Sequence, residues 1–391
     1  MKSVKEIDVK GKRVFVRVDY NVPLDDNLNI TDDNRIQATL PLIQYLLKEG
    51  AKIILASHLG RPKGERKPEF SLAPVAARLS ELLKQKIQFA DDCIGESVEA
   101  MVSQMKTGDV LLLENLRFHI EEQKNVDEFS KALASLCDVY VNDAFAVSHR
   151  DQASVTGIPK FVSLAGAGFL LEKEVRSYYD SVEKPQRPLV AIIGGAKVSS
   201  KLEALDNMLK LVDKMVIGGA MANTFLKSQG VDVKGSKIEE ELLDTAKGII
   251  QAAKDKGIEL LLPEDLICAD KFDKDAETAT VAVDQIVDKW MALDIGPKTA
   301  SKYAKVLEDA GTIVWNGPMG VFEIDKFMAG TQIVADAVAA SKAFSVVGGG
   351  DTGVAVKKCQ IQDKVNYIST GGGAFLHMME GKVLPGVAAL S

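Results

Sequence analysis

Pro188-Leu189-Val190-Ala191-Ile192-Ile193-Gly194-Gly195-Ala196-Lys197-Val198-Ser199-Ser200-Lys201-Leu202-Glu203 begins just before the midpoint of a 391-residue chain, and its reading decides the fold. The apolar run reads as a buried strand, and the glycine pair as a turn where a side chain would obstruct a ligand. Beyond it Leu202, Leu205, Leu209 and Val212 recur at helical spacing. Lys197 and Lys201 flank the start of that helix. A cation there opposes the positive end of the helix dipole at about 0.3–1 kcal/mol each. The arrangement makes better sense with an anion such as phosphate at the helix mouth. The competing reading makes both lysines solvated and Ser200 with Glu203 a capping box. This segment alone does not separate the two; the rest of the chain does.

Length points to two domains. Hydrophobic residues at 46% and charged residues at 26% are ordinary for a globular protein with real cores. The formal net charge of −7 argues against a nucleic-acid or anionic-membrane binder, which needs a net basic face. A polyanion site must therefore be a local cluster of arginine and lysine. Cys93, Cys137, Cys268 and Cys359 form no CxxC pair, so thiols in a reducing compartment are expected rather than a disulfide framework or zinc site. The N-terminus lacks an apolar signal region and no run is long enough to cross a bilayer, so the expected location is the cytoplasm.

Outward from the opening stretch, both halves alternate strand and helix. Lys12–Val18, Lys52–Ala56, Val110–Leu113 and Asp138–Val141 read as strands of the first half. Ile36, Leu40, Ile43 and Leu47 mark a helix ending at Gly50, with Pro41 near a kink or a late start, and another helix runs through Val75–Leu83. The pattern predicts an α/β fold of two doubly wound, mostly parallel-sheet domains joined by a linker helix, with a cleft between them. The first domain is expected over 1–170, with the apolar tail from about 378 to 391 docked on a domain. The helix and linker occupy 171–187, ending in Lys184-Pro185-Gln186-Arg187-Pro188, and the second domain spans 188–377.

In open α/β sheets, ligands bind beyond the carboxyl ends of the strands. In the first half those ends carry Asp19, Asn21, His58, Arg61, Glu114, Arg117 and Asn142, with Arg35 and Arg150 nearby. Each arginine alone reads most simply as a surface ion pair. Several converging on one sheet edge repel unless an anion is present, and the planar guanidinium suits bidentate capture of phosphate or carboxylate. The second half differs: its strand ends carry mostly glycine, with Lys197, Lys201, Glu323 and Asp351 as exceptions. One glycine pair is usually a tight turn, but five after strands suggest backbone presented to a nucleotide.

Gly348, Gly350 and Gly353 satisfy G-x-G-x-x-G, which opens the alternative of a nicotinamide-dependent dehydrogenase. The acidic residue expected about 20 residues on is missing, and Ser369-Thr370-Gly371 stands there instead. There is no Walker-type P-loop, no histidine metal spacing and no nucleophile elbow. An anion-binding domain and a nucleotide domain joined by one helix suggest phosphoryl transfer between two ligands.

Six blocks then fall into one order: Val18-Asp19-Tyr20-Asn21-Val22-Pro23, Ser57-His58-Leu59-Gly60-Arg61-Pro62, Glu114-Asn115-Leu116-Arg117-Phe118, Gly194-Gly195-Ala196-Lys197-Val198, Trp315-Asn316-Gly317-Pro318-Met319-Gly320-Val321-Phe322-Glu323 and Gly348-Gly349-Gly350-Asp351-Thr352. Together they resemble the phosphoglycerate kinase family over nearly the whole chain. The resemblance implies a glycolytic phosphotransferase with a carboxyl group as acceptor, interconverting ATP plus 3-phosphoglycerate and ADP plus 1,3-bisphosphoglycerate with Mg²⁺. It implies a monomer that acts after hinge closure. By motif, Asp19, Asn21, Arg35, His58, Leu59, Gly60, Arg61, Arg117 and Arg150 would hold 3-phosphoglycerate. Lys201, Glu323, Gly349, Gly350, Asp351 and Thr352 would hold the nucleotide, with Asp351 near the metal and Gly296 against the adenosine. Arg35, Lys197, Lys201 and the backbone N–H groups of Gly372 and Gly373 would surround the phosphoryl group in transit. Gln152 replaces a frequent histidine, Ala220 a frequent glycine and Gly353 a frequent alanine or valine. A non-catalytic scaffold that keeps the fold is the alternative from another class.

Overall fold

Six short runs of the first half form strands: β1 Arg13–Arg17, β2 Lys52–Ala56, β3 Gln88–Phe89, β4 Val110–Leu112, β5 Val139–Asn142 and β6 Ala165–Ala167. They lie in the order β3-β4-β2-β1-β5-β6, every neighbour parallel, with Val14 opposite both Ile53 and Val139. The computed structural model describes residues 1–391. They divide into two units, Met1–Val175 with Val383–Ser391, and Arg176–Lys382.

The apolar runs are continuous because both faces of this sheet are covered. On one face Val14, Val16, Ile53, Leu55, Val139 and Val141 pack with Ile36, Leu42, Ile43 and Leu46 of the Asn34–Lys48 helix. On the other, Phe15 and Tyr140 stack with ring centroids 6.1 Å apart. Truncating a buried residue such as Ile43 to alanine costs about 2–5 kcal/mol. That is a large share of a net stability of about 5–15 kcal/mol.

Pro41 neither delays nor breaks the first helix, which runs from Asn34 through it to Lys48. Pro41 and Gln37 both face solvent, so water can take up the carbonyl that loses its intrahelical donor. The C-terminal tail belongs to the first unit: Leu384 and Leu390 are buried and Gly386 N–H donates to the Ser148 carbonyl at 2.9 Å.

The second unit holds β7 Leu189–Ile193, β8 Lys214–Ile217, β9 Glu259–Leu261, β10 Asp265–Ala269, β11 Thr278–Ala282, β12 Met291–Ile295, β13 Thr312–Asn316, β14 Phe344–Gly348 and β15 Tyr367–Ile368. Six of them form a parallel sheet in the order β15-β14-β13-β7-β8-β9. The other three form a small antiparallel sheet, β11-β10-β12, which the strand-helix alternation did not announce.

Both large sheets reverse direction at one place. β1 leads to β2 on one side while β5 lies on the other; β7 leads to β8 on one side while β13 lies on the other. Such switch points open a crevice at the carboxyl ends of the strands. The residues following β1 and β5, and those following β7 and β13, therefore have the best access to a ligand.

Candidate active site

In the first unit the strand ends gather a cationic cup. Arg35 pairs with Asp19, and Asp19 lies 4.0 Å from His58 Nδ1. Asn21 Oδ1 accepts from Gly60 N–H at 2.8 Å, and the Gly60 carbonyl accepts from Arg117 Nη1 at 2.9 Å. Gly60 has φ +62 and a Cβ there would meet the Phe70 ring at 2.3 Å, so only glycine fits the turn. Leu59 is buried, and its carbonyl accepts from Asn115 Nδ2 at 2.7 Å, which holds the loop rather than presenting a polar group.

The electrostatics of the cup are those of a site built for an anion. Arg117 is buried, and its Nε and Nη2 find no hydrogen-bond partner. Burial, with the charges of Arg17 and Arg150, pushes its guanidinium down to about 10. Arg150 is lowered too, by burial and then by Arg61 and Arg17. Burial and the surrounding Arg17, Arg117, Arg150 and Arg35 hold His58 well below its ordinary value, so the imidazole is neutral near pH 7. An unpaired buried donor costs about 1–3 kcal/mol, more if charged. A carboxylate or phosphate placed here would remove that penalty.

Arg17 is the residue that the sequence reading missed. It is fully buried at the end of β1; Nε donates to Ser154 Oγ at 2.8 Å and Nη2 lies 3.3 Å from His58 Nδ1. Ser154 in turn donates through Oγ to Glu122 at 2.6 Å and through N–H at 2.9 Å. The signal was present: an arginine inside a strand covered on both faces must have buried partners. Glu114 and Asn142, by contrast, hold loops. Glu114 accepts from Ser71 Oγ, Leu72 N–H and Asn115 N–H, while Asn142 donates to Ser148 Oγ and accepts from Ala144 N–H.

In the second unit the glycine turns first serve close packing. A Cβ on Gly194 would fall 2.1 Å from the Pro318 carbonyl, one on Gly219 2.4 Å from Gly195 N, and one on Gly348 2.0 Å from the Phe375 ring. Close approach of backbone at Gly194 and Gly219, and of a side chain at Gly348, accounts for these glycines without a ligand. Gly350 is open, with nothing near a Cβ. The Gly350–Lys358 and Gly372–Met379 helices begin side by side: a Cβ on Gly372 would stand 2.8 Å from Gly350 N. Their first residues border a cavity of about 360 Å³ that Lys197, Lys201, Gly349, Gly350, Asp351, Thr352, Gly372 and Gly373 help line. Two helix N-termini and two lysines are groups whose charge suits a phosphate.

Lys201 is the innermost of these cations. Its Nζ donates to the Gly194 carbonyl at 2.6 Å and the Asn316 carbonyl at 2.8 Å, and burial pushes it down to about 7. Thr352 Oγ1 accepts from Gly317 N–H at 2.7 Å, which pins the β13 turn to the Gly350–Lys358 helix. Lys197 is exposed.

The expected helix mouth and capping box after Gly195 are absent. The helix starts only at Leu202, and Ser200 Oγ donates to the Lys197 carbonyl rather than meeting Glu203. The N–H groups of Val198 and Ser199 are already taken by the Glu239 carboxylate, at 2.6 and 3.1 Å. These two N–H groups are therefore not open to a phosphate.

Beside the glycine-lined cavity lies a more apolar one of about 580 Å³. Phe272, Met291, Leu293, Val321, Phe322 and Ile324 supply apolar walls, and Glu323 stands at its edge. Asp351 and Gly195 line both cavities. Gly296 is not among the lining residues; it caps the Pro297–Glu308 helix, where a Cβ would come within 2.3 Å of the Asp265 carboxyl carbon. A wider concavity of about 840 Å³ in the first unit is lined by residues such as Asp33, Arg78 and Glu81, whose charges pair with one another. It lacks the converging cations of the cup.

Residues 4–382 match the family model described as phosphoglycerate kinase. The chain is 62% identical over 390 residues to a phosphoglycerate kinase of Desulforapulum autotrophicum, covering all of both chains. It is 58% identical to one from Desulfosudis oleivorans, over 100% of this chain and 98% of that protein. Among solved structures it is similar to phosphoglycerate kinase from Coxiella burnetii, with TM-score 0.93, 44% identity, and 99% and 98% of the two chains covered. It is also similar to that of Pyrococcus horikoshii OT3, with TM-score 0.84, 34% identity, and 100% and 98% covered. From residue 4 to residue 382 the match is unbroken, and the chain belongs to the phosphoglycerate kinase family.

Proposed function

We infer that this chain moves a phosphoryl group between ATP and the carboxylate of 3-phosphoglycerate, as a glycolytic phosphotransferase. The observation that carries the reading is the half-satisfied Arg117 guanidinium: a buried cation whose Nε and Nη2 lack partners suits an anion. A scaffold that had lost catalysis would gain stability by losing that group. A nicotinamide enzyme would have no use for the cup, and neither alternative has support among the relatives.

The cup would take 3-phosphoglycerate, with Asp19, Asn21, His58, Arg61, Arg117 and Arg150 around it, and with Arg35 toward the reacting carboxylate. The apolar slot at Phe272, Met291 and Leu293 would take the base of the nucleotide. The N-termini of the Gly350–Lys358 and Gly372–Met379 helices would take its phosphates. The acceptor carboxylate is ionised at neutral pH, so no base is needed, and neutral His58 serves as a hydrogen-bonding wall. Catalysis then rests on alignment and on neutralising charge at the equatorial oxygens by Arg35, Lys197, Lys201 and the backbone N–H groups of Gly372 and Gly373.

The family implies Mg²⁺. Asp351 offers an exposed carboxylate where both cavities meet, and Mg²⁺ is commonly held by one or two carboxylates together with substrate phosphates, so the residues fit. When bound, the ion offsets phosphate charge. Because each ligand is held on its own unit, turnover needs a step that brings the two together. No helix is long and apolar enough to cross a membrane, and all four cysteines are free and buried. The family resemblance, rather than these facts, is what implies a monomeric enzyme of the cytoplasm.

Thermal unfolding with single ligands tests the assignment. 3-Phosphoglycerate and ADP with Mg²⁺ should each raise the midpoint, and NAD should not. Stabilisation by NAD alone would overturn the reading.

A further inference from the structure

The loop after β3 and the turn after β4 bring Asp92, Cys93 and His119 together, outside the residues assigned to phosphoryl transfer. One ligand atom from each lies within 4.8 Å of the other two. Asp92 Oδ1 accepts from Cys93 N–H at 2.6 Å and pairs with His119 Nε2 at 2.7 Å. The thiol of Cys93 is buried, while Asp92 and His119 keep 38% and 26% of their side chains exposed, which leaves a way in from solvent. The frame is fixed by main chain: Glu114 N–H donates to the Asp92 carbonyl at 3.3 Å and His119 N–H to the Leu116 carbonyl at 3.2 Å. The imidazole lies against Phe129 with ring centroids 5.3 Å apart, which limits its rotation.

We propose that Asp92, Cys93 and His119 form a binding site for a borderline divalent cation of the zinc(II) type. Thiolate sulfur, imidazole nitrogen and carboxylate oxygen are the donors such an ion selects, and three protein ligands leave the fourth tetrahedral position to water. Bonds of about 2.0–2.3 Å hold tetrahedral ligand atoms about 3.3–3.7 Å apart. Reaching that spacing requires the Asp92–His119 pair, now at 2.7 Å, to open slightly and the ligand atoms, now within 4.8 Å of one another, to close on the ion. On binding, the Cys93 Sγ–H proton leaves to solvent, the Nε2 proton of His119 leaves from the imidazolium or, in the neutral ring, shifts to Nδ1, and Asp92 enters as its carboxylate.

Two features hold the affinity down. Burial disfavours the thiolate, and Arg66, donating to the Asp91 carbonyl at 2.5 Å, places a cation beside the group. The ion is therefore an addition to a fold that stands without it. The segment from Glu114 to His119 also carries Arg117, so a bound ion ties down the turn that positions that guanidinium.

The probe is Co²⁺ added to reduced, chelator-treated full-length protein without Mg²⁺, read by absorption. The expected result is one equivalent bound with a sulfur-to-cobalt charge-transfer band, bleached by competing Zn²⁺. The band should vanish in Cys93→Ser, and the apparent dissociation constant should rise at least about tenfold in His119→Gln. Circular dichroism confirms that each variant is folded, and the partly exposed His119→Gln serves if Cys93→Ser is not. Absence of the band in the native chain, or an unchanged band in Cys93→Ser or His119→Gln, overturns the proposal.

Discussion

The ammonium group of Lys201 donates to the carbonyl oxygen of Asn316 at 2.8 Å, and so links the end of β13 to the Gly194 turn after β7. The cation thus sits at the switch point of the second sheet, buried deeply enough that its proton is loosely held at about pH 7. A phosphate in the adjoining cavity would favour the charged form and raise the value again.

Nucleotide binding should therefore take up a proton at Lys201. Above pH 7 the affinity for ADP should fall, by up to about tenfold per pH unit, because the free enzyme must first be protonated. Calorimetry in buffers of different ionisation enthalpy measures the uptake. Lys201→Met should lack it; equal uptake in native and variant chains would show that the proton goes elsewhere.

Arg117 should trade stability for binding. Arg117→Met keeps the length of the side chain and removes two buried donors without partners, although it also removes the Nη1 bond to the Gly60 carbonyl. The variant should unfold about 1–3 kcal/mol later than the native chain when no ligand is present. It should lose at least about tenfold in affinity for 3-phosphoglycerate with little change for ADP. Denaturant melts and calorimetry check both halves, and a less stable variant would contradict the account of a strained, waiting cation.

Asp143 sets a pH dependence of folding. Its Oδ1 accepts from Leu170 N–H at 2.7 Å, its Oδ2 is buried without a partner, and burial raises the carboxyl to about 7. A folded value above the unfolded one favours the protonated native state. That contribution is complete below about pH 4 and is lost as pH rises to about 7, on the order of a few kcal/mol. Asp294, also raised to about 7, acts in the same direction. Asp143→Asn should lose less stability than the native chain between pH 5 and pH 8. Parallel losses in chemical-denaturation curves at the two pH values would remove Asp143 as a cause.

Glu239 should act as a positioning residue for Lys197. Its carboxylate holds Val198 and Ser199 N–H from a loop about forty residues on, and bonds to Ser199 Oγ as well. Glu239→Ala should lower kcat by about tenfold or more while leaving the KM for 3-phosphoglycerate within about twofold. Glu239→Gln, which keeps an acceptor, should recover part of the loss. A change confined to thermal stability would show a purely structural clamp.

The α/β alternation was readable because parallel strands buried on both faces leave unbroken apolar runs, as in Leu189–Ile193 and Lys52–Ala56. The arginines at strand ends were readable because their chain positions alone put them on one edge. Glu239 was not, since its hydrogen bonds span a separation no local pattern encodes. The wall at Phe272 and Met291 went unseen because it borders an antiparallel sheet inserted among parallel units. Gly194 and Gly219 were visible, but their reason was not. Contact of backbone with backbone leaves the same mark in a sequence as contact of backbone with ligand.

A coupled assay for ATP-dependent phosphorylation of 3-phosphoglycerate, run on the native chain and on Lys197→Ala and Arg35→Ala, tests the central claim most directly. The native chain should turn over, and each variant should stay folded while kcat falls by about two or more orders of magnitude. No turnover by the native chain, or near-normal turnover by both variants, would contradict it.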